Sequence, residues 1–235
     1  MPRIRLEGVT KYYRGERKGF PAVKALDLTV DQGEFLFVTG SGGAGKSTLL
    51  QLICGQIRAS SGAVYLDRLN IARMSRWRHE RLRRYFGYVS QLPGLERKKT
   101  IGENLITAAL PRLTGPMLRD RVAKSLEIVG LPRKTEELYP VQLPLAECRR
   151  AELACALINS PPVLVLDELT AQLDEDTIWD LMHILGEINR LGSTVVMATH
   201  AKSFVNILRK RVITLVDGRI WGDVSQGRYG DISIK

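Results

Sequence analysis

Gly40-Ser41-Gly42-Gly43-Ala44-Gly45-Lys46-Ser47-Thr48 decides the reading of this chain. The stretch fits G-x-x-x-x-G-K-[ST], the pattern of a phosphate-binding loop. Phe35-Leu36-Phe37-Val38 precedes it as a strand-like apolar run, and Thr48-Leu49-Leu50-Gln51-Leu52-Ile53-Cys54 follows as an apolar helical one. Glycines let successive amides turn inward toward phosphate oxygens, and the helix amino end adds its positive dipole. Lys46 can reach the outer phosphates, and the Ser47 hydroxyl can ligate Mg²⁺. A glycine-rich turn with a surface lysine is the bland alternative. The strand before and the helix after disfavour it.

Two further strands end in polar groups. Val163-Leu164-Val165-Leu166-Asp167-Glu168 places two carboxylates after four apolar residues. At the carboxyl end of a parallel strand they reach the crevice where ligands bind. Asp167 can hold Mg²⁺, and Glu168 can orient or deprotonate an attacking water. An acidic helix cap is the competing reading, weakened by the pairing with the phosphate loop. Thr194-Val195-Val196-Met197-Ala198-Thr199-His200 repeats the arrangement, with His200 available to the γ-phosphate. Gln91 follows the run 86–89 and could sense Mg²⁺ and the γ-phosphate. Alone it is uninformative.

The 235 residues fit one large domain, or one domain with an inserted lobe. No run reaches the ~18 apolar residues of a membrane span, and no secretory signal is evident. A cytoplasmic protein held to a membrane by a partner is expected. Net charge is +10, with arginines concentrated at 68, 73, 76, 78, 81, 83 and 84. A solvated helix face explains such a cluster, and an anionic membrane surface is the favoured contact. No recognised nucleic-acid architecture or interleaved stacking aromatics accompany it, so sequence-specific nucleic acid is not expected. Cys54, Cys148 and Cys155 lack C-x-x-C spacing, which argues against a zinc site and suits a reducing compartment.

Strand-like runs at 3–7, 26–30, 35–38, 63–66, 85–89, 163–166, 194–198, 212–216 and 219–221 alternate with helical patterns at 46–54, 75–84, 118–129, 146–159, 177–191 and 203–208. This order predicts an α/β core with a mostly parallel sheet, plus an antiparallel edge from the early strands. Asp217-Gly218 reads as a tight hairpin. Between 92 and 159 the pattern is almost wholly helical, broken by prolines and glycines. The expected organisation is a sheet core at 1–91 and 160–222, an inserted helical lobe at 92–159, and a loose tail at 223–235.

These motifs together resemble the nucleotide-binding domains of ABC transporters, P-loop NTPases, over nearly the whole chain. The match rests on 40–48, Gln91, VLVLDE at 163–168, AQLD at 171–174 and His200. The resemblance implies Mg-ATP binding and hydrolysis, a homodimer formed on ATP binding, and Tyr13 (or Tyr12) stacking on adenine. It also implies that Asp174 crosses the dimer interface. Within the family the chain bears a closer resemblance to the cell-division FtsE group, through 35–55, 195–200 and 213–220. That likeness implies an integral membrane partner of the FtsX type, docking near 91–101 and the helical lobe, and a peripheral location on the cytoplasmic face of the inner membrane. Lipoprotein-release and export ATPases are similar as well. A non-hydrolysing, nucleotide-responsive scaffold is the reading from a different class. A DNA-repair member is disfavoured, because the chain has no long coiled-coil insertion.

One stretch departs from the family. Its signature loop reads Leu-Ser-Gly-Gly-Gln or Leu-Ser-Gly-Gly-Glu, and here Leu143-Pro144-Leu145-Ala146-Glu147 stands in its place. In the family this loop contacts the γ-phosphate held by the opposite subunit. Pro144 has neither hydroxyl nor N–H, and Leu145 adds bulk where backbone approaches phosphate. Leu169-Thr170-Ala171 likewise replaces the usual Pro-Thr-Gly or Pro-Thr-Ser. The expectation is intact nucleotide binding with slow turnover.

Overall fold

The computed structural model describes residues 3–13, 20–71, 74, 82, 84–111 and 113–232. Strands β3 (Phe35–Gly40), β6 (Phe86–Val89), β7 (Val163–Asp167), β8 (Thr194–Ala198), β9 (Arg211–Val216) and β10 (Arg219–Val224) form one sheet in the order β10-β9-β3-β8-β7-β6. All are parallel except β10, which pairs antiparallel with β9. The β9–β10 turn is Asp217-Gly218, with φ of 46° and 74°. Two left-handed residues match the twist of the flanking strands, as a two-residue hairpin requires.

Strands β3, β7 and β8 are buried along their whole length. A parallel sheet covered on both faces accounts for their unbroken apolar runs. Alternate side chains serve the two faces. Leu36, Val38, Val163, Val165, Val196 and Ala198 pack with helix α1 (Lys46–Ile53) in one core. Phe35, Phe37, Leu164, Leu166, Val195 and Met197 lie in the other. That second core includes helices α2 (Ile101–Ala108), α3 (Gly115–Ile128), α4 (Leu145–Leu157), α5 (Glu175–Arg190) and α6 (Lys202–Leu208). Burying each large apolar side chain contributes roughly 1.5–3 kcal/mol, so these strands anchor the molecule.

The antiparallel component is larger than the sequence suggests. Strands β1 (Ile4–Lys11), β2 (Val23–Val30), β4 (Ser61–Leu66) and β5 (Leu69–Asn70) form their own sheet, β2-β1-β4-β5, instead of an edge on the parallel one. Bulges interrupt β1 against both neighbours, and the polar-out alternation of β1 and β2 leaves one face to pack on the core. The antiparallel edge of the parallel sheet is β10.

Helices α2, α3 and α4 fall between β6 and β7, as an inserted helical subdomain. Helix α2 opens with a capping box: Thr100 Oγ1 accepts from Glu103 N at 3.2 Å, and Glu103 Oε2 accepts from Thr100 N at 2.8 Å. The Thr-x-x-Glu spacing announces it in the sequence. Among the described residues, the segment from 223 to 231 is tied to the sheet. Strand β10 runs to Val224, then Gly227 N donates to Lys210 O at 3.1 Å and Thr214 Oγ1 donates to Asp231 O at 2.6 Å. The helix expected at 75–84 and Arg73, Arg76, Arg78, Arg81 and Arg83 lie largely or wholly outside the described residues. No helix among the described residues is long and apolar enough to cross a membrane.

Candidate nucleotide-binding site

Strands β3, β8 and β7 are adjacent and parallel, so the segments leaving their carboxyl ends meet on one rim. The phosphate loop follows β3, Glu168 follows β7 and His200 follows β8. The loop is held in shape by backbone contact. Gly45 has φ 99°, and a Cβ there would lie 2.3 Å from Ala22 O. Gly40 has φ 142°, with Leu215 O at 2.4 Å from the position of a Cβ. Neither position accepts a side chain without moving backbone. Helix α1 begins at Lys46, and its first backbone acceptor contact is Leu49 N to Gly45 O at 2.9 Å. The amides of Lys46, Ser47 and Thr48 therefore remain at the helix amino end, where an anion is favoured.

Lys46 is buried and points back over the loop. Its Nζ donates to Gly40 O at 3.1 Å and Ser41 O at 3.2 Å. The same Nζ is 3.2 Å from His200 Nε2 and 3.9 Å from Glu168 Oε1. His200 Nε2 lies 3.3 Å from Glu168 Oε1. Glu168 is seated by backbone: its N donates to Ala198 O at 3.0 Å, and its Oε2 accepts from His200 N at 3.2 Å. Its φ is 54°, an uncommon conformation for a non-glycine residue, of a kind that clusters at functional sites. Lys46, Glu168 and His200 thus meet at one point on the rim.

Asp167 ends β7 beside Ser47. Burial raises its pKa, while a hydrogen bond from the Ser47 side chain and the Lys46 charge oppose the rise. Asp167 Oδ1 is buried without a hydrogen-bond partner. Such an orphaned carboxylate oxygen next to a hydroxyl fits an oxygen-seeking cation such as Mg²⁺, which takes one or two protein ligands plus phosphate and water. Glu168 Oε1 is likewise buried without a hydrogen bond, facing the ammonium and the imidazole.

The remaining expected residues are placed unevenly. Tyr13 is over a third exposed, with its hydroxyl 3.3 Å from Thr48 Oγ1 and Lys11 Nζ 5.3 Å from its ring centre. It borders the phosphate loop, and Tyr12 is more exposed. Gln91 is not drawn into the Lys46–Glu168–His200 group: its side chain is exposed, and its backbone oxygen accepts from Arg149 Nη2 at 3.3 Å. Asp174 has a local task. It caps α5, accepting from Thr177 N at 2.9 Å and Thr177 Oγ1 at 2.8 Å, and these bonds hold its pKa down.

Pro144 is the cap residue of α4, and Leu145, Ala146 and Glu147 form its first turn. The first main-chain bond of that helix is Cys148 N to Pro144 O at 3.0 Å. The amides at 145–147 therefore still face out of the helix end, and the Leu145 side chain is exposed. The loss relative to a Ser-Gly-Gly loop is narrower than the sequence alone implies: the side-chain hydroxyl and the amide at 144.

Three contributors escaped the sequence reading. Arg149 and Glu152 form a buried pair, and Glu152 Oε1 accepts from Gly94 N at 2.9 Å. Tyr229 brings its hydroxyl to 3.0 Å from His200 Nδ1. Burial raises its pKa, Glu168 adds to the rise, and the Gly40 amide opposes it. No spacing rule links residues 29 apart in this way. The Arg-x-x-Glu spacing of 149 and 152 at helical i,i+3 is the one signal available beforehand.

A model of the ABC transporter family matches residues 23–171. The chain is 37% identical over 219 residues to the cell division ATP-binding protein FtsE of Bacillus subtilis, covering 93% of this chain and 96% of that protein. FtsE of Escherichia coli K12 is 37% identical over 222 residues, covering 94% and 98%. The methionine import ATP-binding protein MetN 2 of Rhodococcus jostii is 39% identical over 224 residues, covering 93% of this chain and 65% of that one. Among solved structures, the dimeric ATP-binding cassette MJ0796 bound to ADP and Pi superposes with a TM-score of 0.86 at 30% identity, covering 96% of this chain and all of that one. With its α/β P-loop architecture, its inserted helical subdomain and these matches, the chain belongs to the ABC transporter family.

Proposed function

We propose that this protein is the ATP-binding and ATP-hydrolysing subunit of a membrane complex, resting peripherally on the cytoplasmic face of the inner membrane and driving an FtsX-like partner. The convergence of Lys46, Glu168 and His200, with Asp167 and Ser47 beside them, carries this reading. Loop amides 46–48 and Lys46 hold the phosphates. Ser47 and Asp167 would hold Mg²⁺, which would neutralise phosphate charge. Glu168 Oε1 takes the proton of the attacking water, and His200 Nε2 donates to the γ-phosphate. Tyr13 covers the adenine, and Gln91 senses Mg²⁺ and the γ-phosphate.

Two copies close on ATP, each presenting 143–147 and Asp174 to the other. Similarity to a cassette described as dimeric supports that arrangement. The partner's short cytoplasmic helix is received by a groove of about 440 Å³ lined by Tyr88, Gly94, Glu96, Asn104, Thr107 and Glu152. This groove touches both the segment after Gln91 and the helix behind the signature loop. Motion there is therefore transmitted to both halves of a dimeric site.

Phosphate release by the purified chain, alone and with its membrane partner in nanodiscs, tests the proposal. Stimulation by the partner supports it. Nucleotide binding without turnover in either preparation would instead establish the scaffold reading, which Pro144 and Leu145 favour.

A further inference from the structure

We infer that Tyr229 is a positioning residue for His200, fixing the imidazole through Nδ1 while letting it exchange tautomers as the site takes up phosphate. This rests on the role given to His200 above. The two residues are 3.0 Å apart, hydroxyl to Nδ1, and the opposite ring nitrogen faces Lys46 and Glu168. His200 is half exposed, so packing alone does not define its ring. Its hydrogen bonds do.

The hydroxyl is delivered by a built turn. Tyr229 N donates to Asn206 Oδ1 at 2.8 Å, and Arg228 N donates to Asp231 Oδ2 at 2.6 Å. Thr214 Oγ1 on β9 donates to Asp231 O. Lys202 Nζ sits 5.4 Å from the centre of the Tyr229 ring. Gly227 is pressed against Val212, leaving no room for a Cβ, which would come within 2.8 Å. Strand β9 and helix α6 therefore both hold this turn, and α6 directly follows His200.

The chemistry asks for a group like a phenol. An ammonium only donates, and Glu168 Oε1, though 3.3 Å from Nε2, receives no hydrogen bond, so Nε2 accepts from Lys46 Nζ at 3.2 Å and Nδ1 carries the proton. Tyr229 oxygen then accepts from Nδ1. When Lys46 turns to phosphate, Nε2 must donate to a phosphate oxygen. The ring proton then belongs on Nε2, and Nδ1 must accept, which the Tyr229 O–H allows. A hydroxyl serves both states by rotating, whereas a carboxylate or a backbone carbonyl would lock one of them.

Tyr229→Phe keeps the ring and removes the hydroxyl. ATP affinity, read with a fluorescent ATP analogue, and melting temperature should stay at parental values. Single-turnover hydrolysis should fall by up to about 100-fold, the scale of a misplaced phosphate-facing group. In a His200→Ala background the same change should add nothing. In ¹⁵N-histidine spectra, His200 identified by its loss in His200→Ala should show a hydrogen-bonded Nδ1 in the parent, a proton moved to Nε2 with AMP-PNP and Mg²⁺, and neither feature in Tyr229→Phe. Parental hydrolysis by Tyr229→Phe, a full additional loss in the His200→Ala background, or an unchanged imidazole spectrum would each overturn the inference. If His200→Ala itself hydrolyses at the parental rate, the role of His200 in hydrolysis falls, and the spectra alone decide whether Tyr229 sets its tautomer.

Discussion

Arg149 Nη1 donates to Glu152 Oε2 at 2.8 Å, with both side chains only 6% exposed. Arg149 also reaches Gln91 O, and Glu152 accepts from Gly94 N. One buried ion pair on α4 therefore grips the loop after β6 at two points. The helix carrying the pair starts just after Pro144, so the loop after β6 and the stretch 143–147 are mechanically joined.

Breaking this pair from one side leaves the other charge buried. Glu152→Ala should cost about 3–5 kcal/mol of stability, whereas the double change Arg149→Met with Glu152→Leu should cost much less. Urea unfolding of the three proteins measures it. Equal losses in the single and double variants would show that the pair contributes no buried-charge penalty.

Lys46→Ala removes a charged phosphate donor. A charge-assisted hydrogen bond is worth about 1.5–3 kcal/mol, so ATP affinity should weaken roughly 10- to 150-fold. Isothermal titration with Mg-ATP provides the number, and unchanged affinity would remove Lys46 from the site.

Glu168→Gln retains shape and loses basicity. Nucleotide binding should persist, the ATP-bound dimer should last longer, and single-turnover hydrolysis should fall by about 10²–10⁴. A variant as fast as the parent would mean that another group takes the proton.

Restoring Ser-Gly-Gly at 144–146 returns a hydroxyl and an amide to the loop. One donor aimed at developing charge is worth roughly 3 kcal/mol, about 100-fold in rate. The amides at 145–147 are already in place, so this is an upper scale. Phosphate release at saturating ATP, with the membrane partner in both assays, should rise. A parent already as fast as the restored protein would show that another segment completes the site.

The three thiols should differ in reactivity. Burial pushes Cys54 up to about 12, and Cys155 likewise to about 12. At pH 8 such groups are thiolate in about one molecule in ten thousand. Burial raises Cys148 as well, with Glu152 and Glu147 adding to the rise. Cys54 is almost fully buried and Cys148 only partly. Raising the pH from 7 to 9 increases the thiolate share of each. Iodoacetamide labelling read by peptide mass spectrometry should mark Cys148 before Cys54 throughout. The reverse order would mean that the core under α1 opens.

The parallel core, and the part of the candidate site that lies within single loops, can be read from neighbouring residues. Continuous apolar runs at 35–38, 163–166 and 194–198 leave little choice but strands buried on both faces, and a glycine-rich loop between strand and helix has one main use. Local chemistry of this kind is written in neighbouring residues. Thr100 and Glu103 show the same legibility, as a capping box written in a four-residue spacing. Tertiary structure decided what depends on distant segments meeting. The early strands left the parallel sheet because β1 found partners on both sides in β2 and β4, a pairing that no local period encodes. Arg149 and Glu152 became a clamp only once the loop after β6 was laid across α4. Tyr229 met His200 because β9, β10 and α6 fold the last described residues back over the rim. A hydrogen bond across 29 residues is a property of that closure, and the spacing of the letters does not contain it.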